Sequence, residues 1–266
     1  MTLRKTAMYT WNASDYAQSS SLQQQWAREL IARLGLRRGQ RVLDIGCGDG
    51  KVTAEIAASA GFVLGVDNSP EMIALAKHSF PADNLRFQLA DASDLPFDHE
   101  FDIIFSNATL HWVKDHRPVL AGIARSLAAG GRILLQMGGK GNASGVVAAM
   151  DSVRTRPQWS QYFEQFTFPY GFYGPEEYQE WLDEAGLPAC KASLVTKDAR
   201  HPTHAAFAGW LRTTWLPYTQ RVPADQRETF IEEVVETYLA AYPPVNGAVH
   251  VQMIRLEVES ALPLST

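Results

Sequence analysis

The sequence contains little cysteine. Only Cys47 and Cys190 occur among its 266 residues, and they lie far apart and outside any CxxC pair. A disulfide scaffold or a structural zinc site needs more cysteines, or cysteines in closer pairs. We therefore expect neither, and no metal ion. Cys47 lies in a glycine-rich segment, where a small side chain packs readily.

The sequence also lacks a surplus of positive charge. It has 24 Lys and Arg residues against 29 Asp and Glu residues, which gives a formal net charge of -5. Proteins that bind DNA or RNA usually carry a basic surplus, because phosphate contacts dominate that affinity. The charge balance therefore argues against a nucleic-acid partner.

Long hydrophobic runs are missing as well. No uninterrupted run of about 18 apolar residues occurs, and the first residues lack the apolar core of a signal peptide. This pattern predicts no membrane partner and a cytoplasmic location. The apolar fraction of 46% and the charged fraction of 20% are typical of a globular protein with a sizeable core.

What is present is an alternation of apolar runs with helix-type segments. Five runs predict buried strands, at residues 41–45, 62–66, 85–89, 101–105 and 132–136. Helices are predicted between them, at 51–59, 70–78 and 118–127; the second begins with a favourable Ser-Pro-Glu start. This alternation predicts an α/β fold, a parallel sheet with helices on both faces. Ligands of such sheets bind beyond the carboxyl ends of the strands.

The rest of the chain predicts additions to this core. Apolar residues at helical spacing predict an N-terminal cap helix within residues 1–40, before a core at 41–137. Residues 138–190 begin with glycines and are then rich in aromatic residues, which predicts an inserted cap. Residues 191–266 are expected to supply the remaining strands, near 191–197 and 249–258, with a helical insertion at 203–241.

The strongest motif joins the first predicted strand to the next helix. It is Val-Leu-Asp-Ile-Gly-Cys-Gly-Asp-Gly, residues 42–50. Glycines let a backbone approach a ligand closely, and the helix N-terminus faces the same loop. The dinucleotide fingerprint is GxGxxG, whereas these glycines follow GxGxG. The spacing therefore argues against a nicotinamide-dependent oxidoreductase.

This segment resembles the DxGxGxG motif of the class I methyltransferases that depend on S-adenosylmethionine (SAM). The resemblance implies a Rossmann-like fold with a mostly parallel seven-stranded sheet and a helical, aromatic cap. It also implies SAM as the cofactor and S-adenosylhomocysteine (SAH) as its product. The cofactor contacts that it implies in the loop are Asp44, Gly46, Cys47, Gly48 and Gly50.

Two later acids match further landmarks of that class. Asp67 follows the second strand, and the resemblance implies that it accepts hydrogen bonds from both ribose hydroxyls. Asp91 follows the third strand, where an acid typically meets the adenine amine; Asp94 competes for that role. A plain turn or capping role is the alternative for either acid. Residues of these two turns that are implied in cofactor binding are Asp67, Asn68, Met72, Asp91 and Ala92.

The fourth strand is followed by Ser-Asn-Ala-Thr-Leu-His-Trp, residues 106–112, and then by an Asp-His pair at 115–116. Here the chain resembles the trans-aconitate 2-methyltransferase family, and weaker matches extend the resemblance over nearly the whole chain. It implies that Asn107 and Ala108 contact SAM, with Tyr16 and Gln24 near its methionine end. A histidine replaces the glutamine expected in the bacterial enzyme, so the substrate can differ.

That histidine, His111, is the candidate catalytic residue. The pKa of an imidazole lies near neutral pH, so His111 could serve as a general base for a hydroxyl or amine acceptor. Two alternatives stay open: it donates a hydrogen bond to the acceptor, or it is only packed. A carboxylate acceptor is already ionised at pH 7 and needs no base.

The acceptor is less well defined. The resemblance favours O-methylation of a small carboxylic acid, whereas the aromatic residues of 146–181 suit an apolar or flat acceptor equally well. We predict a SAM-dependent small-molecule methyltransferase, monomeric or homodimeric. The alternatives are a hydroxyl, carbon or nitrogen acceptor, or a SAM-binding regulatory protein without catalysis. Candidate substrate contacts are Trp11, Trp112, Tyr170 and Arg212.

Overall fold

The computed structural model describes residues 21–263, apart from the side chains of residues 21–25, 189 and 190. The described chain divides into two compact units. The larger comprises residues 22–142, 170–197 and 253–263, and the smaller comprises residues 143–169 and 198–252. The sequence predicted four segments by role: a cap helix, a core, an inserted cap and the remaining strands. That division stays a prediction.

A seven-stranded sheet has the order β3-β2-β1-β4-β5-β7-β6. Strands β1 to β5 are parallel, and β7 runs antiparallel to β5. The predicted α/β fold with a mostly parallel seven-stranded sheet is therefore confirmed. The strands are β1 (Arg41–Ile45), β2 (Phe62–Asp67), β3 (Leu85–Leu89), β4 (Phe101–Asn107), β5 (Leu127–Gly138), β6 (Ala189–His201) and β7 (Val249–Ala261).

Helices of the larger unit are α1 (Ser21–Leu34), α2 (Lys51–Ala57), α3 (Pro70–Ser79), α4 (Arg117–Ser126) and α6 (Pro175–Glu184). Those of the smaller unit are α5 (Ser144–Arg154), α7 (His204–Thr214), α8 (Leu216–Thr219) and α9 (Arg227–Ala241). Short 3-10 helices occur at Leu110–Trp112 and Ser160–Phe163. None of the described helices is both long and apolar enough to cross a membrane.

The central strands are buried on both faces because helices cover the sheet on each side. Along β1, Leu43 and Ile45 belong to one apolar cluster with residues of α4 and α6. Val42, which points to the opposite face, belongs to another with residues of α1, α2 and α3. Burial on both faces explains why these strands are continuous apolar runs rather than alternating ones.

The sequence missed some elements of the later chain. Helices α5 and α6 lie in the stretch whose aromatic residues predicted only an inserted cap. Three helices, α7 to α9, occupy the predicted helical insertion at 203–241. Strand β5 begins at Leu127 rather than at residue 132, because Leu127 pairs with Phe101 before a register shift. Gly130 and Gly131, which lie between the predicted helix and the predicted strand, thus belong to the irregular part of β5.

The strand order determines where a ligand can bind. The chain builds outward from β1 through β2 to β3 and then crosses back to β4, which pairs with the other side of β1. The order therefore reverses between β1 and β4, and such a switch point leaves a crevice at the carboxyl ends of the strands. The glycine loop follows β1 at this point.

Candidate active site

The glycine loop turns sharply at the end of β1. The backbone N–H groups of Gly46 and Cys47 both donate to the Val66 carbonyl, at 2.7 and 3.0 Å. Gly46 has φ +75°, and a Cβ placed there would lie 2.0–2.4 Å from three side-chain atoms of Thr109. Only glycine fits this position, because Thr109, two residues after the end of β4, packs directly against the loop.

The later glycines serve the loop in different ways. Gly50 precedes α2 with φ +85°, and a Cβ there would meet Phe87 and Ala76. Gly48 has φ +52°, and a Cβ there would meet no atom within 4 Å. The backbone N–H of Gly48 donates to Asp67 Oδ2 at 3.0 Å. Gly48 therefore borders open space beside a fixed carboxylate, as a ligand-binding backbone requires.

Substitution of Gly48 by Ala is expected to weaken SAH binding roughly tenfold or more, because the added methyl group enters space that we assign to the cofactor. Gly35 is a matched control, since it also has φ +52° with no atom within 4 Å of its Cβ position. Both variants should lose about 1 kcal/mol of stability through left-handed strain. Calorimetric titration with SAH should separate them, and equal affinities would refute the assignment of this space.

Asp67, the last residue of β2, is held by its own turn. Its Oδ1 accepts from the Ser69 N–H at 2.9 Å while Oδ2 accepts from Gly48. Burial raises the pKa of the Asp67 carboxyl, and these N–H donors oppose that rise. Ser69 Oγ caps α3 by accepting from the N–H of Met72, which is buried. Asn68, between Asp67 and this cap, is exposed. Each carboxylate oxygen retains capacity for a further donor.

Asp44 is buried within β1 and is 2% exposed. Thr53 Oγ1, in the first turn of α2, donates to its Oδ2 at 2.7 Å. Burial raises the pKa of Asp44 to about 7, and the negative charge of Asp67 adds to that rise. The thiol of Cys47 is also buried, which raises its pKa and makes it a weak nucleophile.

The raised pKa of Asp44 predicts a pH dependence of stability. The folded protein binds this proton more tightly than the unfolded chain, whose carboxyl has a pKa of 3.8. Stability from this group is therefore complete below pH 3.8, falls as the pH rises towards about 7, and is constant above that.

The Asp44→Asn variant keeps an acceptor for Thr53 but cannot ionise. Between about pH 5 and 6.5, the native protein should lose up to about 1.4 kcal/mol per pH unit relative to this variant, measured by urea denaturation. Asp83→Asn, at an exposed position, is the control. Parallel pH profiles of the native protein and Asp44→Asn would disprove the assignment.

The next two strand ends carry the other predicted cofactor residues. Asp91 is exposed after β3, and its Oδ1 accepts from the Ser93 N–H at 2.8 Å; Ala92 is partly buried. Asn107 ends β4, and its Oδ1 is a buried oxygen without a hydrogen-bond partner among the described residues. Ala108 follows with φ +56° and donates its N–H to the Gln136 carbonyl. An unsatisfied buried acceptor beside the loop suits a ligand that donates hydrogen bonds.

His111 lies in the 3-10 helix after β4, among aromatic rings. The ring centroids of Trp112, Tyr170 and Phe172 lie 5.8, 5.9 and 5.9 Å from that of the imidazole. Tyr170 stacks on Phe172 at 5.3 Å with an interplanar angle of 3°. The structure thus brings together three residues that the sequence proposed, His111, Trp112 and Tyr170.

Other predicted residues are not part of this arrangement. Arg212 belongs to the smaller unit, where its Nε donates to Glu228 at 2.7 Å. Trp11 and Tyr16, together with the side chain of Gln24, lie outside the described residues. Their predicted contacts stay predictions.

Sequence reasoning overlooked the supporting residues. Thr109 backs Gly46 and donates to its carbonyl at 3.1 Å, and Thr53 holds Asp44. A hydroxyl in the first turn of the helix after the loop is a signal that could have identified Thr53. The role of Thr109 has no local signal, because it depends on how β4 packs beside β1.

The carboxylates around the loop decide which cofactor fits. Asp44 and Asp67 interact, and Asp49 in the loop pairs with Lys51 Nζ at 2.8 Å. The described loop side chains offer acceptor oxygens rather than cationic donors, which disfavours the pyrophosphate of a dinucleotide and suits a nucleoside whose hydroxyl and amino groups donate hydrogen bonds. Together with Asn107 Oδ1, these groups fit SAM, which carries a sulfonium and an ammonium group. Fold and loop therefore define a Rossmann-like methyltransferase.

Comparisons with known proteins agree with this class. A family model described as a methyltransferase domain matches residues 43–135. A trans-aconitate 2-methyltransferase of Variovorax paradoxus is 30% identical over 248 residues, 89% of this chain and 92% of that protein. An uncharacterised methyltransferase of Schizosaccharomyces pombe is 32% identical over 211 residues, 71% of this chain and 77% of that protein.

A solved structure supports the fold. The YcgJ protein of Bacillus subtilis has a TM-score of 0.63 at 20% identity, covering 91% of this chain and all of that chain. The chain belongs to the SAM-dependent methyltransferases of class I, in the family that includes the trans-aconitate 2-methyltransferases. It is therefore a methyltransferase enzyme.

Proposed function

We propose that this enzyme methylates a small molecule, with a carboxylate oxygen as the acceptor. The observation that carries the proposal is the position of His111 and its aromatic neighbours. His111 follows β4 shortly along the chain, and the end of β4 borders the glycine loop. A cofactor site and a partly apolar acceptor site then adjoin, as transfer between two bound molecules requires.

The residues that would hold SAM are those of the strand ends. Asp67 would accept the ribose hydroxyls, Asp91 the adenine amine, and the loop backbone at Gly48 would lie along the nucleoside. When bound, SAM supplies a methyl group on a sulfonium sulfur, which keeps the electron pair of the broken bond when the methyl group moves to the acceptor. The protein contributes orientation and exclusion of water, which can supply much of the acceleration.

Two observations support a carboxylic acid as the acceptor. Relatives of this chain are named trans-aconitate 2-methyltransferases, and trans-aconitate is a carboxylic acid. The half-buried His111 also offers a polar group among aromatic rings, where a carboxylate oxygen can be bound. The stacked rings of Tyr170 and Phe172 suit a flat acceptor as well, so a phenol or another planar molecule is the second candidate.

The test has two stages. Calorimetric titration with SAH, with NAD as the control, should show binding of SAH alone. Purified enzyme with methyl-labelled SAM is then supplied with trans-aconitate, other small carboxylic acids and planar phenols, and methyl esters and ethers are separated by mass spectrometry. Ester formation is the expected result. Labelled ethers alone would replace the carboxylate by the phenol, and SAH binding without any product would favour a regulatory protein. A cytoplasmic location and a monomeric or dimeric state stay predictions.

A further inference from the structure

A buried arginine lies opposite the strand residue that contacts the candidate catalytic histidine. Arg255 is 4% exposed and occupies β7, opposite Gly138 of β5 in the antiparallel pair. Its guanidinium lies 5.9 Å from the ring centroid of Trp26. Burial of a charged side chain is costly. The cofactor contacts that the glycine-loop motif implies do not include Arg255. Its position next to the acceptor region suggests a role there.

The backbone fixes His111 from two sides. The Gly138 N–H donates to His111 Nδ1 at 3.4 Å, and the Gly171 N–H donates to the His111 carbonyl at 2.8 Å. A Cβ on Gly138 would lie 2.7 Å from the ring of Phe172, so glycine allows the strand and this ring to approach together. Because Nδ1 accepts a hydrogen bond, a neutral imidazole must carry its proton on Nε2.

Electrostatics favour that neutral form. Burial, the charge of Arg255 and the nearby His116 hold the pKa of His111 well below its usual 6.5. The groups that face it are Arg255 from β7, His116 before α4 and the phenol of Tyr170. His116 is buried and its pKa is also lowered; its Nδ1 lies 2.5 Å from Tyr178 Oη. Of these three neighbours of His111, only Arg255 therefore carries a positive charge throughout the neutral pH range.

We propose that Arg255 is a positioning residue that, with the Gly138 N–H, keeps His111 as the neutral tautomer with its proton on Nε2. His111 then donates a hydrogen bond to the acceptor and removes no proton from it. The acceptor must arrive already ionised, which identifies the substrate class as carboxylates rather than alcohols or phenols. This last step rests on the proposed function, whereas the protonation of His111 does not.

The reaction balances without a base. An acceptor carboxylate oxygen uses a lone pair to form the new O–CH₃ bond, the S–CH₃ bond breaks, and its electron pair remains on the sulfur of SAH. The products are a neutral methyl ester and a neutral thioether, and no proton is released. A hydroxyl acceptor would release one proton per turnover, and a histidine that already holds a proton on Nε2 cannot take it from that side.

Nitrogen NMR of the ¹⁵N-histidine-labelled full chain with SAH tests the protonation directly. The His111 signals are assigned by their loss in His111→Gln. Between pH 5.5 and 8.5 the native protein should show an unchanging neutral pattern with the proton on Nε2. In Arg255→Met, which matches the buried volume without the charge, burial still lowers the His111 pKa but the guanidinium no longer does. The pKa should therefore rise, and the signals should shift towards the protonated form at the acid end of that range. Arg255→Lys should restore the unchanging pattern.

Two NMR outcomes would overturn the proposal. One is a native His111 that titrates at the ordinary histidine pKa, and the other is an Arg255→Met protein in which His111 stays neutral. Either is measurable without an acceptor, and the native protein alone suffices for the first if the variant does not fold.

Kinetics supply the readout that a merely structural arginine would not change. With a carboxylate acceptor, kcat of the native enzyme should be flat from pH 6 to 8.5, whereas Arg255→Met should lose activity towards acid pH. His111→Gln keeps a hydrogen-bond donor, whereas His111→Phe does not. The kcat of His111→Gln should therefore be at least tenfold higher than that of His111→Phe. Labelled ethers without esters, with His111 neutral, would refute the proposed acceptor and leave the role of Arg255 standing.

Discussion

Replacement of Asp67 by Ala is expected to weaken SAH binding by about 100-fold or more. The carboxylate would accept two ribose hydroxyls, and hydrogen bonds to a charged group contribute about 1.5–3 kcal/mol each. The variant also frees the N–H groups of Gly48 and Ser69, which the carboxylate now holds. Cofactor contacts and loop geometry are thus lost together.

A graded pair of variants separates those two losses. Asp67→Asn keeps one acceptor oxygen and should bind SAH with an affinity between those of Asp67→Ala and the native protein. Asp83→Ala removes an exposed aspartate elsewhere and should leave binding unchanged. Calorimetry gives the affinities, and thermal unfolding without ligand reports on the loop. Native affinity in Asp67→Ala would exclude the ribose assignment.

The Gly46→Ala variant is expected to lose about 3 kcal/mol of stability or more. Its φ of +75° imposes strain of about 1–2 kcal/mol on any residue with a Cβ. The added carbon would also overlap the Thr109 side chain, and overpacking of a close-packed site typically costs about 1–3 kcal/mol. Both costs act at the point where β1 enters the loop, so SAH affinity should fall too.

A double-mutant cycle separates strain from overlap. Thr109→Gly removes all three atoms that the new carbon would meet. The double variant should therefore regain the stability that Gly46→Ala loses through overlap, but not the stability that it loses through backbone strain. Urea denaturation measures the four proteins. Gly35→Ala, which has positive φ but open surroundings, should show strain alone. Strictly additive losses in the cycle would mean that the loop moves away from Thr109 and that the packing explanation is wrong.

The relation between sequence and structure differs along the chain. The five parallel strands could be predicted because buried strands and their turns have signals within a few residues. The helix α3 was predicted because Ser69 and Pro70 are a local start signal. Helix α6 was missed because its aromatic residues, considered alone, indicated a cap core rather than a helical face. Helix α5 has no aromatic residue and was missed because it lies in a segment that was interpreted only by its glycines and its aromatic neighbours.

The candidate site divides in the same way. Spacing marked Asp44, Gly48 and Asp67 as candidates, because a glycine turn and an acid at a strand end are signals within a few residues; their cofactor contacts stay predictions. Arg212 was predicted as a substrate contact only because it is a basic residue that could bind an acidic acceptor, and the structure pairs it with Glu228. The relation of Arg255 to His111 had no local signal, because it arises only when β7 pairs with β5.

The sequence by itself determined the class of this protein: its alternating elements, its glycine loop and the acids at the strand ends. Those features can be recognised from the sequence because periodicity and turn chemistry depend on residues that are close together along the chain. The tertiary structure alone decided that Thr109 fills the space behind Gly46 and that a buried arginine lies opposite Gly138, the residue whose N–H contacts His111. Strand order and register place these partners, and both are set by the packing of the whole sheet.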